Sequence, residues 1–127
     1  MKQAKIVAAV LFLLLIGFGI GEQFYVKKTF RTFDSYAEYF EEKINSADYE
    51  AAELTMDEFE NWWDKTSTVL ESLAHNRDIK TVTQEISQLR GFLTVKSGSD
   101  AKVSLITLKA MSKNLEQLLQ FRWEHII

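Results

Sequence analysis

The chain has 127 residues, a formal net charge of −3, no proline, no cysteine and five glycines. This length accommodates about one domain. The lack of cysteine excludes a disulfide scaffold, a thiolate zinc site, an iron–sulfur cluster, a lipid-modified cysteine and a cysteine nucleophile. Without proline and with little glycine, a turn-rich β fold is disfavoured and long helices with short links are expected. The slight net acidity argues against general nucleic-acid binding.

Charge is unevenly placed. Asp34 to Asp64 hold eleven acidic residues and one base, Lys43, whereas the chain from Lys65 onward holds nine bases and six acids. The simplest arrangement sets the two halves side by side so that they neutralise each other across helix edges.

Lys2 and Lys5 precede an uncharged apolar run, Ile6 to Gly21. Its sixteen residues would rise ~24 Å as a helix, and extension through Phe24, Tyr25 and Val26 gives about 31 Å, close to the ~30 Å hydrocarbon core. The pattern predicts a transmembrane signal-anchor over residues 6–26. It follows a short cytoplasmic terminus at 1–5 and precedes an extracytoplasmic domain at 27–127. Phe24 and Tyr25 would sit at the membrane interface, with Lys27 and Lys28 facing headgroups. The competing reading is a cleaved signal peptide, for which Gly17-Phe18-Gly19 and Gly19-Ile20-Gly21 are poor small-x-small cleavage sites. The expected location is a single pass through the cell membrane, N-terminus cytoplasmic, domain outside.

Beyond the apolar run, apolar residues recur every three and four positions, the helical signature. Val26, Phe30, Phe33, Ala37, Phe40 and Ile44 predict that the first helix continues to about Asn45, with Asn45 or Ser46 capping the next. The second helix carries Tyr49, Ala52, Met56, Phe59, Trp63, Thr66, Leu70 and Leu73, an a/d seam over about 28 residues. His75 to Asp78 interrupt it, with Asp78 as a cap. The third helix shows Ile79, Val82, Ile86, Leu89 and Leu93. Ser97-Gly98-Ser99-Asp100 is the clearest loop signal. The fourth carries Leu108, Met111, Leu115 and Leu118, flanked by Leu105, Leu119 and Phe121. Short links make neighbours antiparallel. The expected fold is all-α: a transmembrane helix continuous with a small up-down bundle of about four helices.

Three features invite a functional reading. Trp62-Trp63 is the first; Trp63 belongs to the seam and Trp62 flanks it, so Trp62 either fills the core or docks a partner. Glu50, Glu53, Asp57, Glu60 and Asp64 form a carboxylate stripe on the second helix. It reads as a cation or basic-partner surface, or as a solvated face partly paired with Lys102, Lys109 and Lys113. Hard-cation sites need six to eight converging oxygens, commonly on a glycine-bearing loop, and none is present. The third is the pair His75 and His125, which lack metal-ligand spacing and suit capping or structural roles. At the tail, Trp123, Ile126 and Ile127 could touch the membrane or close the bundle. No nucleophile elbow or phosphate-cradling loop occurs, so no catalytic, metal or cofactor site is expected.

With Trp62-Trp63-Asp64-Lys65 in mid-helix, His75 followed by Asp78-Ile79, an apolar start and a closing amphipathic helix, the chain resembles the Firmicute family classed as domain of unknown function 4363. The resemblance implies a membrane helix, a small helical domain, a Gram-positive setting on the outer membrane face, and no known activity. The expected function is a non-enzymatic interaction or scaffold module at the cell surface. It would contact the lipid bilayer and an envelope protein through Glu50, Glu53, Asp57, Glu60, Trp62 and Asp64, with homo-oligomers possible. A ligand-sensing bundle acting through a partner membrane protein is the alternative.

Overall fold

A computed structural model describes residues 2–73 and 76–126. Four α-helices account for nearly all of them: α1 (Lys2–Asn45), α2 (Tyr49–Leu70), α3 (Asn76–Thr94) and α4 (Gly98–Ile126). Each packs on its chain neighbours and α4 closes against α1. Among the described residues no close backbone approach joins α1 to α3 or α2 to α4; across the second diagonal the Tyr49 side chain reaches Gly98. The bundle is therefore a square with α2 and α4 at opposite corners.

The three–four periodicity of the sequence becomes the core. Val26, Phe30, Phe33, Ala37, Phe40 and Ile44 of α1 are buried, as are Ile79, Val82, Ile86, Leu89 and Leu93 of α3. On α2 the buried set is Ala52, Met56, Phe59, Trp63, Thr66 and Leu70. Six aromatic rings join α1 to α2: Phe33, Tyr36 and Phe40 on one side, Phe59, Trp62 and Trp63 on the other. Phe33 meets Phe59 edge-on at 5.3 Å and Trp63 at 5.7 Å, and Phe40 meets Phe59 at 5.5 Å. Such offset and edge geometries place positive ring edges on negative faces.

Helix α4 departs from expectation. Leu118 is 48% exposed, whereas Ser104 and Ser112 are buried with Ala101, Leu105, Leu108, Leu115 and Leu119. Small side chains on this helix let it approach bulky partners. Ser104 Oγ donates to Glu85 Oε1 at 2.9 Å, while the buried Ser112 hydroxyl has no hydrogen-bond partner among the described residues.

The membrane expectation is corrected. Among the described residues no helix is long and apolar enough to cross a membrane. A transmembrane first helix, and with it the single-pass cell-membrane location and the bilayer contact, is therefore not supported. What α1 shows instead is exposed apolar side chains, Ile6 at 62% and Leu15 at 71% among them, with core contacts beginning at Val26.

The helix ends are also corrected in detail. The cap of α2 is Asp48, not Asn45 or Ser46; its carboxylate accepts from the Ala51 amide at 3.2 Å. Helix α2 has 22 residues, fewer than the expected 28 or so. It stops at Leu70 because Ser72 and Leu73 switch to three-residue hydrogen bonds to Val69 and Leu70. Asp78 lies in the first turn of α3 and is not its cap. Gly98 opens α4 and is not a turn residue. A Cβ there would fall 2.6 Å from the Tyr49 hydroxyl, so the glycine provides room for that ring.

Both inter-helix turns after α1 and α3 share one design. Asp48 N–H donates to Lys43 and Ala47 N–H to Ile44; Ser97 N–H donates to Phe92 and Lys96 N–H to Leu93. These are Schellman bonds, which require a left-handed residue at the turn. That residue is Ala47 (φ 56°) in one turn and Lys96 (φ 58°) in the other. Neither is glycine, and the left-handed conformation costs an L-residue about 1–2 kcal/mol. Ala47→Gly and Lys96→Gly are each expected to raise stability by roughly 0.5–1 kcal/mol, since glycine's added unfolded-state freedom offsets part of the gain. Chemical denaturation of each variant against the parent chain checks this.

Candidate interaction surface

The spacing of Glu50, Glu53, Asp57, Glu60 and Asp64 sets them along one flank of α2. Packing gives α3 that flank, and α3 presents Arg90 to its middle. Arg90 Nε donates to Glu60 Oε1 at 2.6 Å and its Nη2 pairs with Asp57. The hydrogen bonds it donates to both carboxylates hold the guanidinium even more firmly charged than usual. A two-carboxylate clamp on arginine is the strong, geometrically specific form of ion pair, although its partial exposure limits its contribution to stability.

The expected partners Lys102, Lys109 and Lys113 do not serve the stripe. They lie on α4, across the diagonal from α2, and Lys109 pairs with Glu41 of α1. Glu50, Glu53 and Asp64 make no ion pair among the described residues. Between them Leu54 is 66% exposed. Glu50 and Glu53 also edge an open cleft of about 460 Å³ at the end of the bundle, shared with Asp48, Tyr49 and Lys96.

Trp62 and the carboxylates are not brought together. Trp62 leans to the α1 flank of α2, with ring centroids 5.7 Å from Tyr36 and 6.4 Å from Phe33, and stacks on Phe59 at 6.0 Å. Half-buried against the core, it extends the aromatic cluster. Trp63 is buried, and its indole N–H donates to Thr83 Oγ1 at 2.9 Å. Thr83 passes its own proton to the Ile79 carbonyl at 3.0 Å, so the one polar atom of this large side chain is satisfied.

The residues assigned to a membrane interface lie on α1 around the start of its buried stripe. Phe24 is 73% exposed, Tyr25 packs partly on the core, and Lys27 and Lys28 are exposed. Among the described residues no group of His, Asp or Glu could hold a metal ion. His75 and the side chains of Phe121, Trp123, His125, Ile126 and Ile127 lie outside the described residues.

Two features escaped the sequence reading. Arg90 carried a faint signal, a base flanking the seam between Leu89 and Leu93. The other is a groove of about 390 Å³ between α1 and α4, lined by Asp34, Ala37, Glu38, Lys109, Lys113 and Glu116. Here burial pushes the Asp34 carboxyl above its ordinary 3.8, Glu38 pushes it further, and Lys109 opposes both. A carboxyl with a raised folded-state pKa binds its proton more tightly folded than unfolded, so its charge weakens the fold at neutral pH. The penalty disappears as pH falls through that raised value. Asp34→Asn is thus expected to melt higher than the parent at pH 7 and to lose that advantage in acid. Paired thermal melts at both pH values check this.

A family model described as Domain of unknown function (DUF4363) matches residues 20–126. No curated protein and no solved structure matches the chain.

Proposed function

This chain belongs to the DUF4363 family, whose description assigns no activity, and we propose that it is a non-enzymatic protein-interaction module that docks through the outward face of α2. One observation carries the reading: the carboxylate stripe is only partly neutralised within the chain. Arg90 holds Asp57 and Glu60, whereas Glu50 and Glu53 beside the exposed Leu54, and Asp64 further along the helix, make no ion pair among the described residues. An apolar centre with a charged rim has the composition of a docking patch, and the uncompensated carboxylates would steer a basic partner toward it. Trp62 is left out of the patch because its ring belongs to the α1–α2 cluster.

The test is a photoreactive side chain at position 54 in cells that make the protein. Cross-links formed there should be lost in E50K/E53K and should weaken with salt. Cross-links indifferent to both changes would show that the α2 face is not the docking surface.

A further inference from the structure

The charge imbalance along the sequence is not cancelled by folding. Contacts between the acidic and basic halves are confined to helix edges, where Arg90 meets Asp57 and Glu60, and Lys109 meets Glu41. The outermost charges stay separated by the width of the bundle, because α2 and α4 occupy opposite corners with no close backbone approach among the described residues. On α2 the exposed charges are Glu50, Asp57, Glu58 and Asp64 against Lys65 alone. On α4, up to Gln120, they are Lys102 and Lys113, apart from Asp100, which accepts the Ser97 hydroxyl at 2.7 Å in the first turn. Each face also carries large apolar side chains in the open: Leu54 at 66% on α2, Val103 at 64% and Ile106 at 68% on α4.

We infer that the occupant of the α2 face is the α4 face of a second copy of this chain. This rests on the reading of α2 as a docking surface and names its partner. The two faces are opposite in charge and alike in having an exposed apolar centre, so one copy supplies both halves of a complementary contact. Because the faces lie on opposite corners, the same pair of residues cannot meet across a two-fold axis. The contact is heterologous, α2 of one copy on α4 of the next, and propagates into a chain or closes into a ring. Two copies set side by side in the same orientation place these helices parallel, since both are even-numbered elements of an up-down bundle. Lys102 and Lys113 would then meet Glu50, Glu53 and Asp64 around Leu54, Val103 and Ile106.

The absence of cysteine permits a site-specific test with the purified full chain. One population carries Leu54→Cys, another Ile106→Cys or Val103→Cys, and the mixture is treated with a short bismaleimide. Products joining position 54 to 103 or 106 should outnumber 54–54 and 106–106 products. In E50K/E53K alone, which sets lysine against the basic α4 face beside position 54, the product should fall about tenfold or more. The same fall is expected in K102E/K113E alone, acidic on both faces. Mixing the two charge variants should restore it, a pattern that association through the exposed apolar residues of α1 cannot produce. Dominant 54–54 products, or yields insensitive to either charge variant, would overturn the head-to-tail contact. A purified chain that does not cross-link, while position 54 still links to a different protein in cells in an E50K/E53K-sensitive way, would also overturn it and leave the α2 docking reading standing.

Discussion

Trp63→Ala is expected to cost about 3–5 kcal/mol, the range for removing a fully buried large aromatic from a core that cannot collapse around the void. Trp63 is 2% exposed and is the largest of the fully buried side chains. It joins three helices. Its ring meets Phe33 of α1 at 5.7 Å, it stands on α2, and its indole N–H donates to Thr83 of α3 at 2.9 Å. Truncation removes the packing and leaves Thr83 without its donor. A loss of this size is a large fraction of the ~5–15 kcal/mol that holds a small domain folded. Urea unfolding followed by circular dichroism measures it. Trp63→Phe separates the causes: it keeps most of the ring volume and drops the hydrogen bond, so it should cost markedly less. A Trp63→Ala loss under about 1 kcal/mol would mean that the α1–α2–α3 junction is not packed as described.

Phe33→Ala carries a similar expectation, about 3–5 kcal/mol. Phe33 is 1% exposed and reaches Phe59, Trp62 and Trp63, so it is the ring through which α1 grips α2. Residues in contact do not contribute additively. The double variant with Trp63→Ala should therefore lose less than the two single losses combined, by roughly 0.5–1.5 kcal/mol, the energy usual for an aromatic pair. Strict additivity would contradict the ring contact. Tryptophan fluorescence gives a second readout, because loosening of α1 in Phe33→Ala should expose the half-buried Trp62 and shift its emission to the red.

Much of the bundle is legible in the residues alone. The three–four spacing of Val26, Phe30, Phe33, Ala37, Phe40 and Ile44 identifies a buried face, and each of these is buried. The same holds for Ala52 through Leu70 and for Ile79 through Leu93. The resemblance to the DUF4363 family, drawn from the Trp62–Lys65 segment and its surroundings, is matched over residues 20–126. Helix α4 shows where the method fails. Weighting by hydrophobicity favours Leu118 for the core, whereas the helix turns Ser104 and Ser112 inward, because helical phase along Ala101, Ser104, Leu108, Ser112, Leu115 and Leu119, not polarity, sets which side chains face the core. Cap assignments failed similarly. Asp48, the cap of α2, follows a non-glycine left-handed residue, Ala47, where composition offers no turn signal. The long apolar start suggested a membrane span that no described helix satisfies.

The candidate surface divides along the same line. The residues alone determined that Glu50, Glu53, Asp57, Glu60 and Asp64 share a flank of one helix, because helical periodicity fixes angles about an axis. They also determined that Trp62 lies beside the seam and Trp63 within it. Only the tertiary structure decided which neighbour each flank meets. It sent Trp62 to the α1 rings and the carboxylates to Arg90. It also set the basic residues of α4 across the diagonal, out of reach of the α2 stripe. The reason is that the order of helices around the square is a property of the packed bundle. Spacing along one helix carries no information about which side of it another helix will occupy.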